Sequence, residues 1–393
     1  MKKHFIERGK MEFGFTEQQM ILRDSVKGFM EKECPPGYVR ELDAKEQFPY
    51  ELYSKMEKMG WFGLPFPEAY GGSGLGAVDF VIVGEEMSRH SFEIAAGYGI
   101  SLFCGLNIIE HGSEEQIKHY IPKIINNEIR LSIAITEPNA GSDAASLMTS
   151  AVLDGEEWVI NGQKTFQTAS DADNNIMSVF VRTDKSLPKH KGISMILVPK
   201  DTPGVEMRRI STIGRKILHT NEVFFEDVRV PKKNLVGEVN KGWNILLSGL
   251  ELERLFGCAS YIGCSQTVVD IALKHAKERE QFGRPIGSFQ AIGHMLADMQ
   301  TDVDAARMLT YRAAWMYDNN TPCMKEVSMA KLFGSEMYAR LSNQGMQIMG
   351  GYGYTTEYDM QRHFRDSRII TVSAGSSQMQ RTTIARGMGL NVV

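Results

Sequence analysis

The sequence predicts an α+β chain in which a helical segment, a β segment and a second helical segment follow one another. Three observations carry this. From Thr16 to about residue 130 apolar residues recur at three- and four-residue steps, as in Met20, Leu22, Val26, Phe29 and Met30. Beyond Leu131 the period falls to two and turn dipeptides appear. After Gly242 the helical period returns and persists to the C-terminus. A chain of 393 residues exceeds what one hydrophobic core usually organises, so three domains are expected, at 1–130, 131–240 and 241–393.

In the first segment Thr16 before Glu17 and Gln18 reads as a helix cap. Two breaks interrupt the helices, at Cys34-Pro35-Pro36-Gly37 and over the Gly- and Pro-rich stretch Pro65 to Gly74. The β segment opens with Asp154-Gly155 between 150–153 and 157–160, a hairpin signature, followed by Asn161-Gly162 as a second turn dipeptide. Further strands are expected at 176–181, 192–198, 205–209 and 222–225, which together make a barrel or sandwich. The last segment reads as helices over 243–276, 289–318, 325–349 and 378–387, with loops at Phe282 to Pro285 and Gly350 to Gly353, so an antiparallel bundle is expected. A Rossmann unit is not expected, because no G-x-G-x-x-G joins a strand to a helix and the strands are not interleaved with helices.

Composition removes several function classes. Hydrophobic residues at 42% and charged residues at 23% describe an ordinary globular chain. The net charge of −4 supplies no broad cationic field for nucleic acid or anionic lipid. Five scattered cysteines without a C-x-x-C suggest reduced thiols and a cytoplasmic location, and no histidine spacing suggests a metal. No stretch of 18 apolar residues appears, so no membrane span is expected. Met11 is an alternative start, which would make the first ten residues an extension without a structural role.

Four motifs carry chemistry. Ile135-Thr136-Glu137-Pro138-Asn139-Ala140-Gly141-Ser142-Asp143 is a small-residue loop whose amides and hydroxyls suit a planar or phosphorylated cofactor, although a tight turn explains it as well. Asn161 to Thr168 places Phe166 and Thr168 on one face of a strand, where an aromatic could lie on a flat ring and a hydroxyl bond its edge. Arg279 to Gly287 sets two arginines around Phe282, suited to pyrophosphate and a stacked ring, or to an ordinary helix end. Gln347-Ile348-Met349-Gly350-Gly351-Tyr352-Gly353 lets a phosphate approach the backbone, or simply stops a helix. A basic stretch, Arg362, His363, Arg365, Arg368, Arg381 and Arg386, suits phosphates in part and helix ends for the rest.

Taken together, in this order and spacing, the four motifs resemble the acyl-CoA dehydrogenase family from Thr16 to the C-terminus. The resemblance implies an N-terminal helical domain, a central β-barrel or sandwich, a C-terminal four-helix bundle, FAD held between the last two, and a homotetramer. It assigns flavin contacts to Ile135, Thr136, Gly141, Ser142, Phe166 and Thr168, where Phe166 replaces the tryptophan of many members. Arg279, Phe282, Gln347 and Gly351 match positions that reach the flavin nucleotide across a subunit interface, and Ser376 and Gln378 match the adenosine-side contact. Ser142, Arg254 and Gly375 are assigned to the substrate.

The chain departs from the common family pattern at the catalytic base. Many members carry Tyr-Glu-Gly-Thr before the last helix, and here the matching residues are Ser373-Ala374-Gly375-Ser376. A minority, including isovaleryl-CoA and long-chain dehydrogenases, carries the base on the first bundle helix within Leu-Asp-Leu-Glu-Arg. This chain has Leu250-Glu251-Leu252-Glu253-Arg254 there. Two carboxylates at i and i+2 lie about 200° apart on a helix, so at most one faces a flavin. Register selects Glu253 as the α-proton base, and the backbone N–H of Ala374 as the donor to the thioester oxygen.

The expected activity is dehydrogenation of a short, branched or bulky acyl-CoA to the trans-2-enoyl-CoA, with hydride to flavin N5 and electrons to an electron-transferring flavoprotein. Alternatives are an enoyl-CoA reductase of the crotonobetainyl-CoA reductase type, a flavin-binding relative with nucleic-acid affinity, and an oxidase using O₂.

Overall fold

The computed structural model describes residues 14–392, so the ten-residue extension ahead of Met11 lies outside the described residues. Six helices come first: α1 (Glu17–Glu33), α2 (Pro36–Lys45), α3 (Tyr50–Lys58), α4 (Ala77–Ser88), α5 (Phe92–His111) and α6 (Glu114–Ile125). Thr16 closes a capping box on α1 with Gln19, each side chain accepting from the other's backbone N–H. By length and composition α5 is apolar enough to cross a membrane. Here it is a central helix, with Ile94, Tyr98, Leu102 and Ile108 fully buried, which answers its apolarity.

Eight strands follow: β1 (Arg130–Ala134), β2 (Ser150–Asp154), β3 (Glu157–Thr168), β4 (Asn175–Arg182), β5 (Ile193–Pro199), β6 (Val205–Ile210), β7 (Thr220–Pro231) and β8 (Leu235–Val236). They form one connected sheet in the order β6-β7-β3-β2-β4-β5-β8, with β1 parallel to β4. Ile160, Val223 and Val228 from one half meet Val179, Ile196 and Val198 from the other in a single core, so the sheet closes over its own apolar face. Asp154-Gly155 is the expected hairpin turn, joining β2 to β3 with Gly155 at φ 61°. Asn161-Gly162 is not a turn. It lies inside β3 at a register shift, where Gly162 at φ 146° passes so close to Thr149 that a Cβ would stand 2.6 Å from its Cα.

The chain then returns to helix with α7 (Gly242–Ser248) and α8 (Leu250–Glu278), a short hairpin of β9 (Glu280–Gln281) and β10 (Arg284–Pro285), then α9 (Gln290–Asp318), α10 (Met324–Met349), α11 (Gly351–Tyr354), α12 (Met360–Ser367) and α13 (Ser377–Gly387). Helices α8, α9 and α10 pack around Val268, Met299, Val303 and Leu341, and α13 lies against α10. The single helix expected over 243–276 is broken at Gly249, where a Cβ would meet Asn107 Oδ1 of α5 at 2.7 Å. That break sets where α8 starts, and its first turn carries Glu251, Glu253 and Arg254.

Helices α4 and α5 lie against α8, and the Phe256 ring of α8 joins Phe80, Tyr98 and Phe103. Burying a ring of this kind stabilises by about 1.5–3 kcal/mol. Gly84 and Gly99 make room for it, since a Cβ at either would meet the ring at 2.9 or 2.8 Å. The contact pins the start of the bundle to the N-terminal helices.

Candidate active site

The loop after β1 and the second half of β3 are tied together by a buried ion pair. Lys164 Nζ donates to Glu137 Oε1 at 2.7 Å and to the Ile135 carbonyl at 3.0 Å. Glu137 also accepts from the backbone N–H groups of Met148 (2.6 Å) and Thr149 (2.9 Å). Burial pushes the Lys164 ammonium down to about 8, against the pull of Glu137. Burial would raise the Glu137 carboxyl, but Lys164 and these donors together hold it below its ordinary range. Both groups are therefore charged at neutral pH. The Thr136 carbonyl accepts from Thr165 N at 2.8 Å and distantly from Gln167 Nε2, which completes the seam.

The seam presents Phe166. A register irregularity between Lys164 and Gln167 turns Thr165 and Gln167 inward and Phe166 outward, 63% exposed, with a left-handed φ of 58°. A non-glycine residue held there costs on the order of 1–3 kcal/mol, and such strain gathers at functional sites. The hydroxyls of Thr136 and Thr168, both half-buried, have no hydrogen-bond partner among the described residues. Gly141 and Ser142 are exposed on the same loop, and a Cβ on Gly141 would meet nothing within 4 Å. An outward ring, two free hydroxyls and an open loop are what a flat, hydrogen-bonding cofactor such as a flavin requires.

The start of α8 faces a second surface. Glu253, half-buried, lines a pocket with Ile100, Phe103, Cys104, Asn107, Ile133 and Leu246. Burial raises its carboxyl above the ordinary range, and Arg254 opposes the shift. Glu251 turns away toward Cys323, whose thiol lies 3.9 Å from its Oε1. Phe103, Asn107 and Gly249 are shared with an adjoining cleft of about 270 Å³ that runs past Leu252 to Tyr317 and Asp318. This volume exceeds the roughly 150 Å³ that accommodates a benzene ring.

Ala374 and Gly375 form a left-handed turn at φ 52° and 84°, with the Ala374 N–H unpartnered among the described residues. Arg254 Nη2 stands 3.4 Å from where a Cβ on Gly375 would lie, Nη1 contacts Met324 Sδ at 3.3 Å, and Nε is buried without a partner. Arg254 and the 374–375 turn thus share one wall. Ser376 caps α13, its Oγ accepting from Met379 N at 3.3 Å, and Gln378 is exposed on the first turn.

Arg279 and Phe282 follow the end of α8, and Gln347 and Gly351 stand at the end of α10. Phe282 tips the β9–β10 hairpin, 93% exposed at φ 53°, while the Arg279 guanidinium lies 5.7 Å over the Tyr352 ring beside the exposed Gln347 and Gly351. No hydrogen bond or ion pair among the described residues links this cluster to the 135–142 loop of the same chain.

The basic stretch near the C-terminus is mostly engaged within the chain. Arg362 and His363 are buried, Arg365 pairs with Asp43 at 2.7 Å, and Arg381 pairs with Glu336 at 2.8 Å. It offers little to phosphates. Among the described residues no cluster of three or more His, Cys, Asp or Glu could hold a metal, and all five cysteines are buried and unpaired.

Sequence reasoning missed Lys164, Glu137 and Lys331, a fully buried lysine that bonds the 370–375 segment. The first pair was present as Glu137 within one motif and Lys164 within the next, two charges inside segments otherwise read as contacts for a neutral ring.

Family models cover almost the whole chain: the acyl-CoA dehydrogenase N-terminal domain matches residues 16–128, the middle domain 132–228 and the C-terminal domain 240–389. A probable acyl-CoA dehydrogenase of Bacillus subtilis is 38% identical, across 96% of this chain and 99% of the relative. A subunit of the caffeyl-CoA reductase–Etf complex of Acetobacterium woodii is 39% identical, across 94% and 98%. The butyryl-CoA dehydrogenase structure from Megasphaera elsdenii superimposes with a TM-score of 0.92 at 31% identity, covering 97% of this chain and all of that one. A helical, β, helical chain with an acidic first turn on α8 and a cross-tied loop on β3 thus has relatives of one kind along its length, and it belongs to the acyl-CoA dehydrogenase family of oxidoreductases.

Proposed function

We propose that this enzyme binds FAD and dehydrogenates a short, branched or bulky acyl-CoA at the α,β bond, giving the trans-2-enoyl-CoA. The observation that carries the reading is Glu253, held in an apolar pocket with a raised pKa while Glu251 turns away. The α-hydrogen of a thioester is only weakly acidic, so its removal needs a positioned base and a donor to the developing enolate oxygen. Glu253 takes the proton onto its carboxylate. The N–H of Ala374 bonds the carbonyl oxygen, and Arg254 and Gly375 line the substrate wall.

Ile135, Thr136, Gly141, Ser142, Phe166 and Thr168 would hold the flavin, with Ser376 and Gln378 toward its adenosine. When bound, the flavin supplies an acceptor for the hydride that leaves the β-carbon. Arg279, Phe282, Gln347 and Gly351, exposed and without a hydrogen bond or ion pair to the 135–142 loop of their own chain among the described residues, suit the nucleotide of a neighbouring copy, as in a homotetramer. Electrons then pass to an electron-transferring flavoprotein.

Enoyl-CoA reduction by the same residues is the second reading, and the similarity to a caffeyl-CoA reductase subunit favours it. The two are separated by anaerobic spectroscopy of the purified protein with saturated straight, branched and aryl thioesters. Bleaching of the oxidised-flavin band by one of them is the expected result. A band that no saturated thioester bleaches, but whose reduced form an enoyl-CoA reoxidises, overturns the dehydrogenase in favour of the reductase.

A further inference from the structure

Lys331, on α10, has no exposed surface and no carboxylate within ion-pair distance among the described residues. A lysine so placed is uncommon, because burying an ammonium without a countercharge is costly. Its Nζ donates to the Ile370 carbonyl at 2.9 Å and to the Gly375 carbonyl at 2.8 Å. Those two carbonyls bracket the segment that contains Ala374. Gln380 of α13, also fully buried, adds a second bond to the Gly375 carbonyl at 3.0 Å and a longer one to that of Ala374 at 3.4 Å. Ala374 meanwhile keeps a left-handed φ that a non-glycine residue adopts only when its surroundings impose it.

We propose that Lys331 is a positioning residue for the reaction: with Gln380 it clamps the 370–375 segment so that the free N–H of Ala374 points at the thioester oxygen. The inference rests on the dehydrogenase reading above and deepens it. A carbonyl fixed on the C-terminal side of Ala374 and another four residues before it leave the intervening turn little freedom to rotate. The base on α8 and the oxyanion donor on the loop belong to separate elements, and Lys331 joins the loop to the bundle that carries the base. Burial lowers the Lys331 ammonium to about 8, so it is charged at neutral pH and its bonds to the two carbonyls are charge-assisted.

The test uses the flavin-loaded enzyme and two non-oxidisable probes, 3-thiahexanoyl-CoA and phenylthioacetyl-CoA. Sulfur at position 3 acidifies the α-carbon and removes the β-hydrogen. Glu253 can therefore take the α-proton, and the electron pair stays in the enolate, seen as a long-wavelength charge-transfer band with oxidised flavin. For Lys331→Met the expected result is an enolate fraction and a kcat each roughly tenfold to a hundredfold lower, the scale of a misplaced donor, with KM and flavin content near wild type. Lys331→Arg should restore part of the band.

Should Lys331→Met fail to fold, Gln380→Leu is the second variant, with a smaller loss of the band expected. A wild-type band that either folded variant reproduces in full overturns the clamp alone. A wild-type protein that forms no band with either probe contradicts the dehydrogenase reading, and the clamp with it.

Discussion

Lys164→Met removes one member of the buried pair that ties the 135–142 loop to β3. The lysine is fully buried and gives two bonds, at 2.7 Å to Glu137 and 3.0 Å to Ile135. Deleting one partner of a buried ion pair generally costs about 3–5 kcal/mol, because the other charge is left uncompensated. Glu137 keeps two backbone donors, Met148 N and Thr149 N, which places the cost toward about 3 kcal/mol. The variant should also hold flavin less well, because Thr136 and Phe166 lose their common anchor.

In the variant Glu137 loses its nearest cation while burial, the two backbone donors and Arg182 still act on it, so its carboxyl rises from its wild-type position. The stability that a lowered carboxyl adds above its unfolded pKa, and that is lost as pH falls, should therefore be smaller in the variant than in the wild type. Denaturant unfolding across pH, with flavin retention after gel filtration, reads both effects. A variant within about 1 kcal/mol of wild type, with unchanged flavin retention, would refute the structural role assigned to the pair.

Three further expectations concern buried acids and strained backbone. Burial, with the Asp366 carboxyl beside it, raises Glu93 above the ordinary carboxylate range, so the folded chain holds a proton there that the unfolded chain loses first, and stability falls as pH climbs from the unfolded value through the folded one at up to about 1.4 kcal/mol per unit. Glu93→Gln should flatten that slope, and an unchanged slope would assign it elsewhere. Because burial also raises Glu253, the acid limb of kcat/KM should lie above the ordinary carboxylate range, with rate lost as pH falls and the base protonates. Phe166→Ala removes an exposed ring but keeps the Cβ and the left-handed backbone, so the apo-protein should be little changed in stability while flavin binding weakens, as titration of the apo-protein with FAD would measure.

Much of the architecture is legible in the sequence because local periods decide it. The α1 capping box and the Asp154-Gly155 hairpin depend on residues a few positions apart. The parallel pairing of β1 with β4 spans some 40 residues and leaves no local signal. Asn161-Gly162 carries turn chemistry but serves a bulge, because a close approach to Thr149 also demands glycine. The same ambiguity hid the helix break at Gly249. At the site, the divergence of Glu251 and Glu253 follows from helical spacing alone. Lys331 and the Lys164–Glu137 pair did not follow, since in sequence a buried charge looks like a solvated one until its tertiary partners are known.

Proton removal turns on Glu253, and the most direct test is single-turnover reduction of the flavin in Glu253→Gln by the thioester that bleaches the wild type. The substitution keeps the size of the side chain and removes the base. The expected result is retained flavin, near-normal thioester binding and a reduction rate lower by roughly 10²–10⁴, the usual worth of general-base catalysis. Reduction at the wild-type rate would contradict it and place the base elsewhere.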